Sequence, residues 1–361
     1  MNPKHFYFLK IEDIKKETKN CAVITFEVPK EISEIFEYQA GQYLTLKTNV
    51  NGEDIRRSYS ICSAPYENRL SVAVKKLEGG RFSTYVNGTL KVGDIIEVMP
   101  PMGNFIWDEP GLNQNIVFFA AGSGITPIIA HIKHLLYTIP DINVTLFYGN
   151  RNFESIVFRE ELEGIKNLYM TRFALYHIFT KEKVGIPLFY GRFDAIKCNE
   201  LVTSLVSLNK TDAFMLCGPA QMIFEVKETL VSLGVSSDHI HFELFSTDGI
   251  MKTTDSKKDL TQTVDSNLES QVSIKMDGDI FEFDVNYSGL NLLDAALLNG
   301  ADLPYACKGG VCSTCKAKLI EGNVIMELNY ALEQDELDAG YILMCQSHPR
   351  SARILVDFDQ K

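Results

Sequence analysis

Four cysteines have a spacing that could support redox chemistry. Cys307, Cys312 and Cys315 follow the pattern C-x4-C-x2-C, and Cys345 lies well downstream of them. This spacing is typical of a [2Fe–2S] cluster, because four thiolates are needed to hold its two irons. Two glycines inside the loop allow backbone amides to approach the inorganic sulfurs and stabilise the negative cluster. We therefore predict that these four cysteines are the metal ligands.

A structural zinc site and disulfide bonds are the alternative uses of such cysteines. Zinc sites favour paired short spacings such as C-x2-C…C-x2-C, and Cys345 has no such neighbour. The other four cysteines, Cys21, Cys62, Cys198 and Cys217, fit free thiols in a reducing compartment. The spacing favours iron and sulfur over both alternatives.

Length and composition indicate a multidomain globular protein. The chain has 361 residues, which suggests two or three domains, and it is 45% apolar and 23% charged. Its first residues lack the apolar core of a signal peptide, and no run approaches the length of a membrane span. We therefore expect a cytoplasmic protein without a membrane partner.

The chain is strongly acidic. The formal net charge is -12, and residues 271–361 contribute 14 acidic and 7 basic side chains, which is -7 of that total. An acidic surface suits docking to a basic protein surface and argues against nucleic acid as a partner. Simple solubility is the other explanation for this charge.

The first 110 residues show the pattern of an antiparallel barrel or sandwich. Short alternating runs occupy residues 21–29, 42–48, 56–63, 70–77 and 95–100, with Gly, Pro, Asn and Asp between them. Within these runs Arg57 could neutralise a pyrophosphate, and Tyr59 could lie against an isoalloxazine or ribityl chain. The glycines of residues 79–83 precede a helix start, so the amides there could face phosphate oxygens. This chemistry fits a flavin.

Residues 111–247 change to alternating strands and helices. Residues 115–136 have the pattern of an apolar strand, a glycine turn and an amphipathic helix, and residues 143–151, 168–179 and 213–234 continue the alternation. Continuous apolar strands between helices predict a parallel sheet covered on both faces, with ligands at the carboxyl ends of its strands. The turn at residues 121–127 has a G-x-G sequence, and the helix amides after it could cradle a pyrophosphate. A second glycine turn follows Cys217.

The remaining residues predict a linker and a small third domain. Residues 248–270 are rich in Thr, Ser, Asp and Lys, which is typical of a flexible linker. Residues 271–285 predict a hairpin with Asp277 and Gly278 at its turn, and residues 290–298 predict an amphipathic helix before the cysteine loop. Residues 331–340 predict a short helix, and Cys345 follows it.

The order of these motifs resembles the ferredoxin–NADP reductase superfamily fused to a plant-type [2Fe–2S] ferredoxin domain. The resemblance rests on Arg57-Ser58-Tyr59-Ser60, the turn at residues 80–83, the two glycine turns and the cysteine loop. It implies an antiparallel Greek-key β-barrel for FAD at residues 1–110. It also implies an α/β parallel-sheet domain for NAD(P) at residues 111–247 and a β-grasp ferredoxin domain at residues 271–361.

The resemblance also implies which residues bind the cofactors. For FAD these are Arg57, Tyr59, Ser60, Val74, Lys75, Gly80, Arg81, Phe82 and Ser83. For the nucleotide they are Gly122, Gly124, Thr126, Pro127, Cys217, Gly218 and Pro219, with Asn150, Arg151, Thr180 and Lys181 at the 2′-phosphate. Glu243 and Phe245 have the spacing at which, in this superfamily, an aromatic ring covers the flavin and a carboxylate lies close by; an ordinary final strand is the alternative. The pair Thr180-Lys181 favours NADPH over NADH.

The predicted function is an electron relay from NADPH through FAD and the [2Fe–2S] cluster. Residues 300–307 with 329–330 and 335–337 are similar to reductase subunits of bacterial multicomponent di-iron monooxygenases, so the expected acceptor is a di-iron oxygenase component. No acid–base or nucleophilic residue is predicted to act on an organic substrate. There are three alternatives to this function. The protein could be a reductase for another kind of multicomponent oxygenase, an oxygen-reducing oxidase, or a redox sensor that signals by docking.

Overall fold

The computed structural model describes residues 5–107, 114–246 and 268–360. The chain divides into two compact units, of which the larger lies within residues 7–245 and the smaller contains residues 268–360. The larger unit holds an antiparallel sheet and a parallel sheet, and the smaller unit holds a mixed sheet. The predicted boundary at residues 110 and 111 and linker residues 248–267 lie outside the described residues.

The first sheet is a six-stranded barrel. Its strands are β1 (Tyr7–Thr18), β2 (Cys21–Glu27), β3 (Tyr43–Val50), β4 (Glu53–Ser60), β5 (Leu70–Lys75) and β6 (Ile95–Val98), with helix α1 (Arg81–Gly88) between the last two. They lie in the order β4-β3-β6-β1-β2-β5. A bridge between Ile61 and Val72 joins the end of β4 to β5, so that the sheet closes on itself. The predicted antiparallel Greek-key barrel is confirmed.

Strand β1 is absent from the strands predicted from the sequence. Of its residues only Leu9 and Ile11 are buried, and five of the other ten positions carry exposed charges. Strand β2, in contrast, buries six consecutive residues. β1 pairs with both β2 and β6, so its place in the barrel depends on main-chain hydrogen bonds more than on a hydrophobic pattern.

The second sheet has five parallel strands. In chain order the elements are β7 (Asn115–Ala121), α2 (Ile125–Thr138), β8 (Asn143–Asn150), α3 (Arg159–Leu168), β9 (Phe173–Phe179), α4 (Ala195–Leu205), β10 (Ala213–Gly218), α5 (Ala220–Ser232) and β11 (Ile240–Leu244). The sheet order is β11-β10-β7-β8-β9, and all its pairings are parallel. The order reverses between β7 and β10, and ligands bind at such a switch point in α/β sheets.

The smaller unit has the β-grasp plan that the resemblance implied. Its elements are β12 (Glu269–Met276), β13 (Asp279–Asn286), α6 (Leu292–Leu298), β14 (Lys316–Glu321), β15 (Val324–Met326), α7 (Gln334–Asp338), β16 (Tyr341–Leu343), β17 (Ser347–Pro349) and β18 (Arg353–Asp357). The main sheet has the order β13-β12-β18-β14-β16, and β15 pairs with β17. Because β12 begins at Glu269, the last two residues assigned to the linker belong to this strand.

The predicted hairpin turn is confirmed in detail. Asp277 and Gly278 connect β12 to β13 with φ angles of 55° and 84°. Two successive positive φ angles are the signature of a type I′ turn, which the Asp-Gly sequence favours because glycine has no Cβ to clash.

Within the larger unit, a buried ion triad joins the barrel to the parallel sheet. The Lys133 ammonium on α2 lies 2.8 Å from a carboxylate oxygen of Glu67, in the turn before β5, and 2.9 Å from one of Glu161 on α3. The Lys133 side chain is only 8% exposed. Beside the triad, the rings of Tyr66 and Tyr137 stack with centroids 3.9 Å apart. These contacts hold the two halves of the unit together.

A buried histidine makes a second connection between the same two halves. Nε2 of His131, on α2, lies 2.8 Å from the carbonyl oxygen of Phe105, which follows the barrel. Burial lowers the pKa of His131 to about 4, so at neutral pH the ring is uncharged and donates this N–H. Gly41 lies against the ring, since a Cβ there would be 2.4 Å from Nε2.

In the described residues no helix has both the length and the apolar composition required to cross a membrane.

The triad can be tested by removing its cation. In Lys133→Met two carboxylates lose their partner. We expect a loss of about 2 kcal/mol in the free energy of unfolding, smaller than the loss of about 3–5 kcal/mol for a fully buried pair, because Glu67 and Glu161 keep some contact with water. Chemical denaturation measures this loss. The matched control is Lys10→Met, which removes an exposed lysine paired with Glu27 and should leave the midpoint unchanged. Equal effects of the two substitutions would contradict a stabilising triad.

Candidate functional site

The predicted flavin strand is β4, which presents its motif residues in different environments. Arg57 is exposed, Tyr59 is half-buried and Ser60 is buried. The Arg57 guanidinium donates a hydrogen bond of 2.7 Å to the carbonyl of Arg56, which leaves its charge available to an anion. The Tyr59 ring lies 5.6 Å from that of Phe82, measured between centroids. An aromatic surface and a cation on one strand are what a flavin with its pyrophosphate requires.

The predicted phosphate turn at residues 80–83 begins helix α1, with Gly80 at the N-cap position. The Ser83 hydroxyl oxygen accepts the Leu77 N–H at 3.1 Å and donates to the Gly80 carbonyl at 3.2 Å, so it is used inside the turn. The Arg81 guanidinium pairs with the Glu53 carboxylate. The groups that remain for a phosphate are the main-chain amides of the first helical turn.

Two predicted flavin residues have their side chains in the barrel core. Val74 is fully buried and Phe82 is 2% exposed, and both pack within the apolar cluster of the barrel. Their side chains stabilise the fold, and contact of either residue with a cofactor is limited to its main chain. The alternation of a strand shows that two faces differ, but a short motif does not show which face is inside.

Lys75 was predicted to bind FAD, but its side chain lies beside Gly122, the first glycine of the nucleotide turn. Its ammonium nitrogen is 3.3 Å from the place that a Cβ on Gly122 would occupy. Burial lowers the pKa of Lys75, with no carboxylate among the described residues to oppose that effect. Lys75 therefore places a cation beside the turn at Gly122, which has a φ of 56° and whose carbonyl accepts the Tyr148 hydroxyl at 3.1 Å.

The two glycine turns of the nucleotide signature are in direct contact. They follow β7 and β10, the adjacent strands at the switch point. A Cβ on Gly124 would lie 2.0 Å from the Cys217 carbonyl oxygen and 2.7 Å from the Gly218 nitrogen, so only glycine fits there. Thr126 donates its hydroxyl to the Ser123 carbonyl at 3.0 Å, and Pro127 is buried in the first turn of α2. The structure thus brings both predicted turns to one place.

The side chain of Cys217 belongs to the core of the sheet. It is fully buried, and burial raises the pKa of its thiol well above the ordinary value. A protonated and inaccessible thiol is a poor nucleophile, in agreement with the expectation that it does no covalent chemistry. Gly218 and Pro219 follow it, and Pro219 occupies the N-cap position of α5.

Glu243 connects the nucleotide edge to the flavin strand. It lies on β11 in register with Cys217 on β10. Its carboxylate oxygen Oε2 accepts a hydrogen bond of 3.0 Å from the Ser60 hydroxyl on β4. Burial raises the pKa of Glu243 from 4.5 to about 8, although the Ser60 hydrogen bond opposes this shift. Phe245, just after the strand, is 39% exposed. The contact between Ser60 and Glu243 was not predicted.

The predicted 2′-phosphate residues lie side by side at the ends of β8 and β9. The Thr180 N–H donates to the Asn150 carbonyl at 3.0 Å, and the Lys181 N–H donates to the Arg151 carbonyl at 2.9 Å. Arg151 and Lys181 are exposed. Two adjacent cations suit a doubly charged phosphate. The Glu182 carboxylate is also near, but it accepts the Phe153 N–H at 2.8 Å.

The four predicted ligand cysteines converge in the smaller unit as free thiols. Cys307 is half-buried and the other three are buried, and its sulfur lies 3.1 Å from that of Cys312. Hydrogen bonds from Cys312 and Cys345 lower the pKa of Cys307, and the same contacts raise the pKa values of those two thiols. In the structure all four are free thiols in contact with one another.

The donor set fits a [2Fe–2S] cluster. Four sulfurs come from one loop and one remote segment, and the Gly309 N–H is directed at the Cys307 sulfur at 3.3 Å. Gly310 has a φ of 73°, and a Cβ there would be 2.9 Å from the Leu328 carbonyl oxygen. Across the described ranges, no group of three or more His, Cys, Asp or Glu side chains is arranged to hold a single metal ion. The thiols in this arrangement hydrogen-bond to one another.

The pH dependence of stability tests the environment of Glu243. Because its pKa is raised from 4.5 to about 8, the folded protein binds more protons than the unfolded chain between these pH values, and the free energy of unfolding falls as pH rises. We expect wild type to lose stability relative to Glu243→Gln from about pH 5 to about pH 8 in denaturation curves. Glu228→Gln, at an exposed position of α5, should keep the wild-type slope. The same slope in Glu243→Gln would contradict the raised pKa.

Comparison with known families assigns all three parts of the chain. Residues 9–107 match the oxidoreductase FAD-binding domain, residues 118–228 match the oxidoreductase NAD-binding domain, and residues 274–350 match the 2Fe-2S iron-sulfur cluster binding domain. The matched segments follow the order of the predicted barrel, parallel sheet and ferredoxin domain.

Relatives cover nearly the whole chain. It is 42% identical over 357 residues to one of the subunits of 1,2-phenylacetyl-CoA epoxidase from Escherichia coli (strain K12), a match that covers 99% of this chain and 98% of the relative. It is 30% identical over 352 residues to the ferredoxin reductase component of 3-ketosteroid-9-alpha-monooxygenase from Rhodococcus rhodochrous, with 97% and 96% covered.

A solved structure shows the same fold. Phthalate dioxygenase reductase, described as a modular structure for electron transfer from pyridine nucleotides to [2Fe-2S], matches 99% of this chain and 100% of its own, with a TM-score of 0.60 and 23% identity. The chain therefore belongs to the family of oxygenase reductase components that combine FAD-binding, NAD-binding and 2Fe-2S domains, and it is an NAD(P)H-dependent oxidoreductase.

Proposed function

We propose that the protein takes electrons from NADPH and delivers them singly, through FAD and the [2Fe–2S] cluster, to a di-iron oxygenase component. The observation that carries this proposal is the 3.0 Å hydrogen bond between Ser60 and Glu243. It joins the flavin strand to the strand in register with Cys217, where the nicotinamide turn lies. A flavin and a nicotinamide bound by these elements would be neighbours.

The chain supplies binding, orientation and proton control. When bound, a flavin accepts two electrons as a hydride and releases them one at a time, and a [2Fe–2S] cluster carries one electron. Arg57, Tyr59 and the amides that begin α1 would hold the FAD. The turns at Gly122–Gly124 and residues 217–219 would hold the nucleotide. Because its pKa is about 8, Glu243 keeps a proton at neutral pH, and the Ser60 hydroxyl holds its carboxyl group in place.

The proposed cluster ligands are Cys307, Cys312, Cys315 and Cys345. Their loop and the remote fourth residue bring four sulfurs together, and backbone amides approach the first of them. Amide hydrogen bonds to ligand sulfur stabilise the reduced cluster, which carries one more negative charge. We place the protein in the cytoplasm, where a reducing environment keeps ligand cysteines as thiols.

The preference for NADPH rests on Lys181 and Arg151, which lie on adjacent turns without a carboxylate partner in the described residues. In Lys181→Ala one cation is lost, and a hydrogen bond to a charged group contributes about 1.5–3 kcal/mol. We therefore expect kcat/KM for NADPH to fall about tenfold or more while that for NADH is unchanged, measured by flavin reduction. Lys183→Ala, two residues further along the same loop, is the matched control. Equal losses with both nucleotides would contradict the 2′-phosphate role.

The proposed partner is the oxygenase component of a phenylacetyl-CoA epoxidase, which would place the protein in phenylacetate catabolism. The support is the identity of 42% to a subunit of that enzyme in Escherichia coli. A different oxygenase is the second candidate, because a relative at 30% identity serves a 3-ketosteroid monooxygenase by its name. Reconstitution with purified oxygenase components, with NADPH and either phenylacetyl-CoA or a 3-ketosteroid, distinguishes them.

The acidic face of the smaller unit is the proposed docking surface. Glu333, Asp335 and Asp338 are exposed on and before α7, whereas Glu336 pairs with Lys316 at 2.7 Å. Burial raises the pKa of Glu333, and the repulsion of the like charges on Asp335 and Glu336 adds to this effect. A basic partner surface would relieve the repulsion, so delivery of electrons should weaken as salt increases.

Substitution of one cysteine tests the relay. In anaerobic titration with NADPH, the wild type should show flavin bleaching and an EPR signal of a reduced [2Fe–2S] cluster. In Cys312→Ser we expect flavin bleaching to continue, while the EPR signal of the cluster and the reduction of the oxygenase are lost. The reason is that this substitution removes a ligand of the cluster and leaves the flavin site unchanged. Cys198→Ala, which removes a buried thiol on α4, is the control.

Two outcomes would oppose this function. Loss of both flavin bleaching and cluster signal in folded Cys312→Ser protein would contradict a relay of separate centres. A fully loaded wild type that reduces no acceptor would favour a redox sensor that signals by docking.

A further inference from the structure

Gln346, which directly follows the fourth proposed ligand, has a firmly held main chain. Its N–H donates to the Leu343 carbonyl at 2.9 Å, and its carbonyl accepts the Glu327 N–H at 2.9 Å. The residue is only 6% exposed. A buried side-chain amide requires hydrogen-bond partners, so the groups that this amide contacts determine its orientation.

The side-chain amide of Gln346 contacts both parts of the proposed cluster site. Its Nε2 lies 2.9 Å from the Cys345 carbonyl oxygen and 3.2 Å from the Lys308 carbonyl oxygen, and 3.5 Å from the Cys345 sulfur. Lys308 belongs to the three-cysteine loop, and Cys345 is the remote ligand. One amide group therefore spans the two segments that supply the sulfurs.

The backbone of the loop is shaped around this side chain. Lys308 has a φ of 52°, in the left-handed region that non-glycine residues rarely adopt, and this conformation is accompanied by the contact of its carbonyl with Gln346. At Gly310 a Cβ would lie 3.2 Å from Cγ of Gln346. The absence of a side chain at Gly310 thus leaves room for the glutamine.

We propose that Gln346 is a positioning residue that sets the reduction potential of the cluster. Its two N–H groups serve three acceptors: one holds the Lys308 carbonyl, and the other is shared between the carbonyl and the sulfur of Cys345. A donor at a ligand sulfur stabilises the reduced cluster, whose charge is more negative, and so makes reduction easier. This inference rests on the proposed set of four cysteine ligands.

The test is Gln346→Met in the full-length holoprotein, since methionine keeps the volume but removes both N–H donors. We expect iron content and flavin reduction to be retained. The equilibrium constant for reducing the cluster should fall about three- to tenfold, where tenfold corresponds to about 59 mV for one electron. Redox titration followed by EPR measures it. An unchanged potential in a fully loaded variant overturns the proposal.

The matched control is Asp294→Asn, which changes the same loop without touching a sulfur. Asp294 on α6 pairs with the Lys308 ammonium at 2.6 Å. Its substitution removes a negative charge near the cluster, so the potential should rise, opposite to the effect of Gln346→Met. A fall of equal size in both variants would show general loosening of the loop and overturn the role of the amide.

The proposal stays testable if the methionine variant loads no cluster. Wild-type protein labelled with 15N in glutamine side chains should show, in pulsed EPR of the reduced cluster, a coupled glutamine nitrogen, and its absence overturns the inference. If wild-type protein shows no EPR signal of a reduced [2Fe–2S] cluster, both the proposed set of four cysteine ligands and the role of Gln346 are overturned. A normal wild-type cluster with an unshifted Gln346→Met potential overturns the role of Gln346 alone.

Discussion

The close approach of two main-chain turns determines how the rest of the larger unit is arranged. The turns after β7 and β10 meet with so little space that a Cβ on Gly124 would lie 2.0 Å from the Cys217 carbonyl oxygen. Because β11 pairs with β10 in register, Glu243 lies beside Cys217 at the same edge of the sheet. Glu243 in turn reaches Ser60 on the barrel. The tight turn at Gly124, the register of β11 and the Ser60 hydrogen bond thus lie at one edge of the sheet, next to the flavin strand.

Much of this architecture could be predicted from local patterns. The cysteine spacing identified the iron–sulfur domain, and the Asp-Gly dipeptide identified the hairpin turn that the φ angles confirm. Continuous apolar runs indicated the parallel sheet, because strands covered on both faces have no polar alternation. Each of the two glycine turns could also be an ordinary tight connection, but their contact in space explains why the first turn requires glycine at position 124.

What the sequence could not reveal depends on contacts between distant residues and on the direction of side chains. Ser60 and Glu243 are 183 positions apart, and no local pattern links them. Val74 and Phe82 are in motifs that suggested a cofactor, but the closed barrel turns their side chains into its core. Strand β1 has too few buried residues to be predicted by alternation, since pairing with two neighbours holds it in place.

The buried triad around Lys133 has a consequence for how such reductases can be recombined. Its cation comes from the parallel-sheet half and one of its anions, Glu67, from the barrel half, and His131 makes a second bond across the same boundary. A chimera that joins the barrel of one reductase to the parallel sheet of another must therefore keep the partners of Lys133 and His131. Otherwise a buried charge is left without a partner. Residues 268–360 have a separate apolar core of their own. This segment can therefore be replaced as a whole, with its own core intact, when a reductase is adapted to a new oxygenase.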